Sequence, residues 1–311
     1  MNASCKKSAP TMTSEGMRYF RLRPDARLRP WIKCYWWVEP DPSSECASAA
    51  SPDLLIPDGH SELVFRFAGE FSRWQLGESS RTLMNKSYVL GGRSKSVLTQ
   101  SPGGLRLAGV KLDPRALRAL LRMPLSDLRD NTMDFADLGC PALLELEDEI
   151  ANLRSVDELP GVFDRFFLRR LTGEVRDDSA IELLIERIRA TRGAQPILKW
   201  AREHGLDART LERHFVARMG MTPKQFARVE RFKLSYHEMR EHQSGERRVH
   251  LDGFYDASHF DREFRHFLGT SPISWLNRTP DFTTMIGDHL LEGEFGAGDV
   301  PAGTSFACLA R

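Results

Sequence analysis

Two stretches decide the fold of the C-terminal part of this 311-residue chain: DARTLERHFVARMGMTPKQF at 207–226 and DASHFDREFRHFLGTSPISW at 256–275. Aligned without a gap, six of their twenty positions are identical. The identical pairs are Asp207/Asp256, Ala208/Ala257, Arg213/Arg262, Phe215/Phe264, Gly220/Gly269 and Pro223/Pro272. Such self-similarity indicates an internal structural repeat.

Each copy of the repeat carries the local signals of a helix that ends just before another begins. The leading aspartate is a favoured N-cap, and the glycine is a favoured helix terminator. In the first copy Leu211, Phe215 and Met219 recur at helical spacing, so they lie on one face, which we expect to be buried. The residues left on the other faces include Arg209, Glu212 and Arg213.

The residues around the first copy predict a helix-turn-helix unit followed by a long helix. A short helix around Trp200 ends at Gly205, and only Leu206 separates that glycine from the next N-cap, Asp207. From Pro223 to about His242 the pattern predicts one continuous helix, with the apolar stripe Phe226, Val229, Phe232, Tyr236 and Met239. About 20 residues span about 30 Å. Major grooves on one face of B-DNA recur about every 34 Å, so this helix could hold two recognition helices in adjacent grooves.

With these elements, residues 179–278 resemble the DNA-binding domain of the AraC/XylS family of transcription factors. The resemblance is carried by Gly220 to Phe226, Gly253 and Phe254, His259 and Phe260, Phe264, and Gly269 to Pro272. It implies an all-helical domain at 179–280 in which two helix-turn-helix units are joined by the long helix. It also implies a sequence-specific, DNA-binding transcriptional regulator.

The resemblance places the base-contacting residues on the second helix of each unit. They are Arg209, Glu212 and Arg213 in the first unit, and Ala257, Ser258, Asp261 and Arg262 in the second. Arginine can bind guanine with two hydrogen bonds, a carboxylate can accept from cytosine, and alanine can contact only a thymine methyl group. We expect DNA phosphates to be held by helix N-termini and by Lys224 and Arg228.

The second unit departs from the family pattern in its first helix. Two positions that are usually apolar there are occupied by Ser244 and Arg248. We therefore expect the segment 244–252 to be short, shifted or poorly packed, with Val249 and Leu251 as remaining anchors. The first unit should then dominate base recognition.

The N-terminal part, residues 17–172, combines short strands with helices, so the fold class is α+β. Apolar and β-branched runs separated by glycine and proline predict several strands between 17 and about 112, including a hairpin at 53–68 that turns at Pro57-Asp58-Gly59. Helices are predicted from Asp113 onward, with Asp113 as an N-cap and Pro114 in the first turn. The domain is similar to the cupin-like sensory domains of many AraC/XylS regulators, which implies a small β-barrel that binds an effector or dimerises.

The chain ends and the segment between the domains lack such patterns. We expect residues 1–16 and 281–311 to be loose tails, and residues 172–178 to form a linker. Residues 1–16 contain no apolar segment of the secretory type, and no apolar run is long enough to span a bilayer. A cytoplasmic location is therefore predicted.

Two polar and aromatic groups leave alternatives open in the N-terminal domain. Asp58, His60 and Glu62 alternate beside the predicted turn, and such a set can bind metal, but no second histidine lies in this domain and a turn is the better interpretation. The aromatic run contains Trp31, Tyr35, Trp36 and Trp37. It fits core packing, and it also fits the lining of a ligand pocket.

Composition narrows the functional class without deciding it. Apolar residues make up 41% and charged residues 28%, with a net charge of +1, which is typical of globular proteins. Five widely spaced cysteines do not predict a disulfide framework, and for Cys34 and Cys46 buried, inert thiols are the expectation, with a redox pair as the alternative. No catalytic or phosphate-binding motif is present, so we expect neither enzyme activity nor a cofactor or metal.

The expected partners are operator DNA and an effector, with RNA polymerase and a second copy of the chain as further candidates. A cupin-type metalloenzyme with an appended DNA-binding domain is the alternative.

Overall fold

The computed structural model describes residues 10–14, 16–43, 52–171, 180–241, 248–250, 254, 256–277 and 306–308. Within these residues a β-rich N-terminal domain is followed by a helical C-terminal domain, as the sequence predicted. None of the helices in these ranges is both long and apolar enough to cross a membrane.

Within its described residues, the N-terminal domain contains eleven strands in two antiparallel sheets. The strands are β1 Met12–Ser14, β2 Met17–Leu22, β3 Ile32–Pro40, β4 Asp53–Leu55, β5 Ser61–Ala68, β6 Phe71–Gln75, β7 Thr82–Met84, β8 Tyr88–Leu90, β9 Val97–Gln100, β10 Arg106–Leu112 and β11 Thr132–Asp134. The larger sheet has the order β1-β2-β3-β10-β5-β8-β11, and the smaller has the order β4-β9-β6-β7. The larger sheet therefore has seven strands and the smaller has four.

Strand β5 shows how the alternation of side chains builds two separate cores. Leu63 and Phe65 point to one face and pack with the helices that follow the sheets. Val64 points to the other face and packs with Phe71 and Met84 of the smaller sheet. The larger sheet thus carries helices on one face and the smaller sheet on the other.

Three helices cover the outer face of the larger sheet. They are α1 Pro114–Leu121, α2 Pro141–Ala151 and α3 Leu159–Leu171. Asp113 caps α1 by accepting a hydrogen bond from the backbone N–H of Arg115 at 2.8 Å, which confirms the predicted N-cap. Tyr35 of β3 packs on Phe163 of α3, so this part of the aromatic run belongs to the core.

The C-terminal domain contains six helices within the described residues. They are α4 Ala180–Ala190, α5 Ile197–Glu203, α6 Ala208–Met219, α7 Pro223–Glu241, α8 Ala257–Leu268 and α9 Pro272–Leu276. The predicted apolar stripe of α7, which runs from Phe226 to Met239, is buried. Phe226 packs on Phe215 of α6, and Phe232 packs on Phe264 of α8, so α7 holds both helices of the repeat.

The structure corrects the hairpin predicted at 53–68. Strands β4 and β5 form where expected, but β4 pairs with β9, whereas β5 pairs with β10 and β8. The chain between them crosses from the smaller sheet to the larger one. Pro57, Asp58 and Gly59 lie in this crossing rather than in a two-stranded turn. A turn signal shows that the chain changes direction, but it does not show which strands pair.

Two of the segments expected to be loose each contain a short strand. Strand β1 lies inside the predicted tail 1–16 and pairs with β2. Two further strands, β12 Arg248–His250 and β13 Phe306–Cys308, pair with each other, and the second lies inside the predicted tail 281–311. The predicted linker 172–178 lies outside the described residues, as do Ser244 and Leu251.

Strand β12 also bears on the second helix-turn-helix unit. The family pattern places residues 248–250 within the first helix of that unit, and the structure places them in a strand. Helix α8 of the same unit is formed as predicted. The two units therefore differ in the element before the second helix: helix α5 precedes α6 in the first unit, and strand β12 precedes α8 in the second. Arg248, which stands at a usually apolar position of the family pattern, lies in β12.

Candidate nucleic-acid interface

Helix α6 presents a charged face to solvent and an apolar face to the core. Leu211, Phe215 and Met219 are buried against the other helices of the domain. On the opposite side are three exposed residues, Arg209, Glu212 and Arg213. The arrangement follows the 3.6-residue period, and the three predicted base-contacting side chains of the first unit are available to a partner.

The N-terminus of α6 is fixed by its cap. The Asp207 carboxylate accepts hydrogen bonds from the backbone N–H groups of Arg209 at 2.9 Å and Thr210 at 3.0 Å. Hydrogen bonds from the side chain and backbone of Thr210 lower the pKa of Asp207, so it is ionised at neutral pH. Gly205, with a φ of +67°, makes the tight turn between α5 and α6. These contacts define the predicted helix-turn-helix.

Helix α8 has the same kind of cap as α6, but one of its predicted base-contacting side chains forms an ion pair. Asp256 caps it by accepting from the backbone N–H of His259 at 2.7 Å. Ala257, Ser258 and Arg262 are exposed, whereas Asp261 is half-buried and forms an ion pair with Arg265 at 2.8 Å. Of the four base-contacting residues predicted in the second unit, Asp261 is therefore already engaged within its own helix.

The two predicted phosphate-binding residues differ in their surroundings. Lys224 is exposed in the first turn of α7, directly after the end of α6. Arg228, one turn later, donates two hydrogen bonds to the Glu263 carboxylate of α8, at 2.7 Å and 3.0 Å. The guanidinium of Arg228 thus ties α7 to α8, and it could contact a phosphate only after this pair opens.

The opposite end of both repeat helices rests on the N-terminal domain. We call residues 91–96, between β8 and β9, the bridging segment. Gly92 lies so close to α6 that a Cβ atom there would be 2.7 Å from the Met219 carbonyl oxygen. Ser94 accepts a hydrogen bond from the Gln225 side chain at 3.2 Å, and the Ser96 hydroxyl donates to the Phe267 carbonyl oxygen of α8. The bridging segment therefore touches both units.

A second set of contacts, a buried ion network, also joins the two domains. Asp113 accepts from Arg115 at 2.9 Å and from Arg189 of α4 at 2.6 Å. Arg115 also pairs with Glu182 of α4 at 2.9 Å. Burial alone would raise the pKa of Asp113, but the charges of Arg189 and Arg115 outweigh burial and hold it well below its usual range.

The residues of the alternative metal site contact a lysine instead. The Lys111 ammonium contacts Asp58 and lies 3.1 Å from Glu62. Burial would raise the pKa of Asp58, yet Lys111 and His60 keep it far below its ordinary value. No cluster of three or more metal-ligating side chains occurs in the described part of the chain. The carboxylates of Asp58 and Glu62 are thus already paired with the Lys111 ammonium, so this group of residues is poorly suited to bind a metal ion.

Several residues that hold the DNA-binding helices in place cannot be recognised from the sequence. The bridging segment shows only a Gly91-Gly92 break between strands, and Glu263, Glu182 and Arg189 look like ordinary helix charges. Their partners lie far away along the chain, so local periodicity cannot identify them.

The environment of Cys34 is consistent with the expected buried, inert thiol. Its side chain is buried in β3, and burial raises its pKa to about 11. The thiol is therefore protonated at neutral pH and unreactive.

Comparison with known proteins supports the division of the chain into two domains. Residues 200–278 match a family described as a helix-turn-helix domain. Residues 20–134 match a family described as a domain of unknown function, DUF6597. Comparison with curated proteins gives no significant match.

Comparison with solved structures gives matches at low sequence identity and low TM-score. ToxT from Vibrio cholerae is 16% identical with a TM-score of 0.41, covering 75% of this chain and 96% of that chain. An unsaturated fatty acid-bound ToxT is 11% identical with a TM-score of 0.39, covering 87% of this chain and 100% of that chain. Vicilin from Solanum lycopersicum is 16% identical with a TM-score of 0.27, covering 34% of this chain and 30% of that chain.

The class of protein follows from the C-terminal domain. Residues 200–278 form a helix-turn-helix domain, and a β-rich domain precedes it. Domains of this type occur in DNA-binding transcriptional regulators, which agrees with the resemblance to the AraC/XylS family.

Proposed function

We propose that the protein recognises a specific operator by placing α6 in the major groove of DNA. The observation that carries this proposal is the exposure of Arg209 and Arg213 on a capped helix whose opposite face is buried. Arginine in this position can bind the O6 and N7 atoms of guanine with two hydrogen bonds. Glu212, between them, can accept a hydrogen bond from the amino group of cytosine.

The second unit contributes fewer base contacts in this proposal. Arg262 is exposed and can bind guanine, Ser258 can donate or accept, and Ala257 can contact a thymine methyl group. Asp261 can accept from cytosine only if it leaves Arg265. This difference supports a dominant role for the first unit.

Contacts with the DNA backbone position the two helices. The exposed ammonium of Lys224 lies at the start of α7, and the N-terminal N–H groups of the helices can bind phosphate. Helix α7 has 19 residues, a length of about 28 Å at 1.5 Å per residue. That length is close to the groove repeat of about 34 Å. In this proposal Arg228 holds α8 through Glu263 and contacts phosphate only secondarily.

The N-terminal domain controls DNA binding in response to a small molecule in this proposal. Its two facing sheets support a cupin-like fold, and its direct contacts with α6, α7 and α8 provide a physical connection to both units. The regulator acts in the cytoplasm, with RNA polymerase and a second copy of the chain as the proteins it would meet on DNA.

The test is selection of binding sites from a random DNA library, followed by titration of the full chain at several salt concentrations. We expect an enriched motif and a steep loss of affinity with salt, because each neutralised phosphate releases counterions. Failure to enrich any motif would contradict the proposal. A weak salt dependence would instead favour helix-turn-helix units that bind protein.

A further inference from the structure

The Arg93 side chain of the bridging segment is buried without a hydrogen-bond partner for two of its nitrogen atoms. Its residue exposure is 3%. Neither Nε nor Nη1 has a partner within the described part of the chain. A guanidinium cannot lose its proton in a protein, so Arg93 is charged in its buried position.

The carboxylates near Arg93 are occupied by other groups. Asp58 binds Lys111 and accepts from the His60 backbone N–H at 3.1 Å, and Glu62 is 3.1 Å from Lys111. Asp130 accepts from the backbone N–H of Ser94 at 2.6 Å and from its hydroxyl at 2.7 Å. No salt bridge to Arg93 is found among the described residues, although buried cations are usually paired.

Other residues around Arg93 make its surroundings both cationic and apolar. Burial lowers the pKa of Arg73, and the charge of Arg93 lowers it further, whereas burial raises the pKa of the neighbouring Tyr88 to about 12. Arg93 follows β8 by three residues, and Tyr88 and Leu90 of that strand belong to the core between the two sheets. The guanidinium is therefore close enough to Arg73 and Tyr88 to affect them electrostatically, and it follows a strand whose side chains belong to an apolar core.

We propose that Arg93 binds the oxyanion group of a small molecule, a carboxylate or a phosphate. An oxyanion provides the acceptor atoms that Nε and Nη1 lack, and arginine binds both groups through charge-assisted hydrogen bonds. The proposal rests on the proposed small-molecule control and names the chemical class of the effector.

The same segment explains how binding at Arg93 reaches the DNA-binding helices. Gly92 precedes Arg93 and packs on the end of α6, while Ser94 follows it and bonds to Gln225 of α7. Ser96 bonds to α8. An oxyanion that reorders Arg93 moves residues that are in direct contact with both units.

The experiment measures binding of two probes, benzoate and inorganic phosphate, to the full chain by calorimetry and thermal unfolding in the absence of DNA. The variants are R93Q, which removes the charge, and R93K, which keeps the charge but loses the fork of donors. R169Q is the matched control, because Arg169 is exposed on α3 of the same domain. Benzamide serves as the neutral counterpart of benzoate.

We expect at least one of the two anions to bind the wild type and R169Q saturably and to raise their Tm, and to bind R93Q at least tenfold more weakly. Whichever anion binds identifies the source of the oxyanion. If R93Q does not fold, R93K provides the comparison and should also bind at least tenfold more weakly. Absence of binding by both anions, equal affinity for the Arg93 variant, or equal binding of benzamide would overturn the proposal.

Hydrogen exchange on the same samples tests the connection to DNA binding. We expect the bound anion to change exchange in residues 91–96 and 219–226 of the wild type and not of R93Q. Because none of these measurements uses DNA, their failure would leave the operator-binding proposal standing. A failed DNA selection would likewise leave the Arg93 result intact.

Discussion

At the scale of single residues, the proposed recognition of DNA depends on two exposed arginines of α6, Arg209 and Arg213. Both lie on the solvent side of α6, as the spacing of Leu211, Phe215 and Met219 predicts. Local periodicity predicts such positions well because one buried stripe fixes the direction of every other side chain on a helix. It does not reveal that Arg228 binds Glu263, since that pair joins residues 35 positions apart.

Replacement of Arg213 by alanine should weaken operator binding at one base position. The loss of a two-hydrogen-bond contact with guanine should cost about 1 to 3 kcal/mol and relax the base preference there. A mobility-shift titration on the selected operator and on its single-base variants measures both effects. R169A, which removes an exposed arginine of α3, should bind like the wild type. Unchanged affinity and unchanged preference in R213A would contradict the assignment.

Replacement of Lys224 by alanine should have a different signature. A phosphate contact carries no sequence information, so affinity should fall about equally on all operator variants. The slope of log affinity against log salt should become shallower by about 1. Titrations over a range of salt concentrations distinguish the two residues. A change of base preference in K224A with no change of slope would assign Lys224 to a base instead.

At the scale of elements, the helices are predicted from the sequence better than the strand pairings. Helices α6 and α8 each have an aspartate N-cap, a terminating glycine and an apolar stripe within a few residues of each other, so their signals are local. The hairpin expected at 53–68 is wrong because β4 and β5 join different sheets, a choice made by β9 and β10 far along the chain. Strand β12 has no local signal because its partner, β13, lies near the C-terminus.

The Glu263–Arg228 pair should hold α8 on α7. E263Q removes the charge and weakens two hydrogen bonds to a partly buried guanidinium, which should destabilise the domain by about 1.5 to 3 kcal/mol. Denaturant unfolding of the full chain measures this loss. The control is D261N on the same helix, because its ion pair with Arg265 is more exposed than the Glu263–Arg228 pair and should contribute less than about 1 kcal/mol. Equal stability of both variants would show that the pair does not fix α8.

At the scale of the whole molecule, the DNA-binding units are joined to the N-terminal domain by buried polar contacts. The bridging segment touches α6, α7 and α8, and the Asp113 network reaches α4. None of these contacts follows from composition or periodicity, because each joins residues from different domains. The two-domain architecture is predictable from the sequence, whereas the contacts between the domains are not.

D113N should loosen this connection while keeping the cap of α1, because asparagine is an equally good N-cap. Removing one partner of a buried ion pair costs about 3 to 5 kcal/mol, and we expect the lower end because Arg115 keeps Glu182. Thermal unfolding and limited proteolysis of the full chain measure the effect. The control is E149Q, which breaks the exposed ion pair of Glu149 with Arg165 and should change the stability very little. The network would not join the domains if D113N were as stable as E149Q.

The same carboxylate predicts a dependence of stability on pH. The pKa of Asp113 is lowered in the folded protein, so its contribution is present above the unfolded pKa of about 3.9 and is lost as pH falls below that value. Unfolding measured from neutral pH down to about pH 3 should show a smaller acid-induced loss in D113N than in the wild type. Parallel curves would contradict a depressed pKa at this position.

The most direct test of the central claim, that α6 recognises base edges in the major groove, is binding-site selection with R209A and R213A beside the wild type. Each variant should lose preference at one base position, the two positions should be different, and the rest of the motif should persist. If both variants select the wild-type motif without change, α6 does not contact the bases and the proposed mode of recognition is wrong.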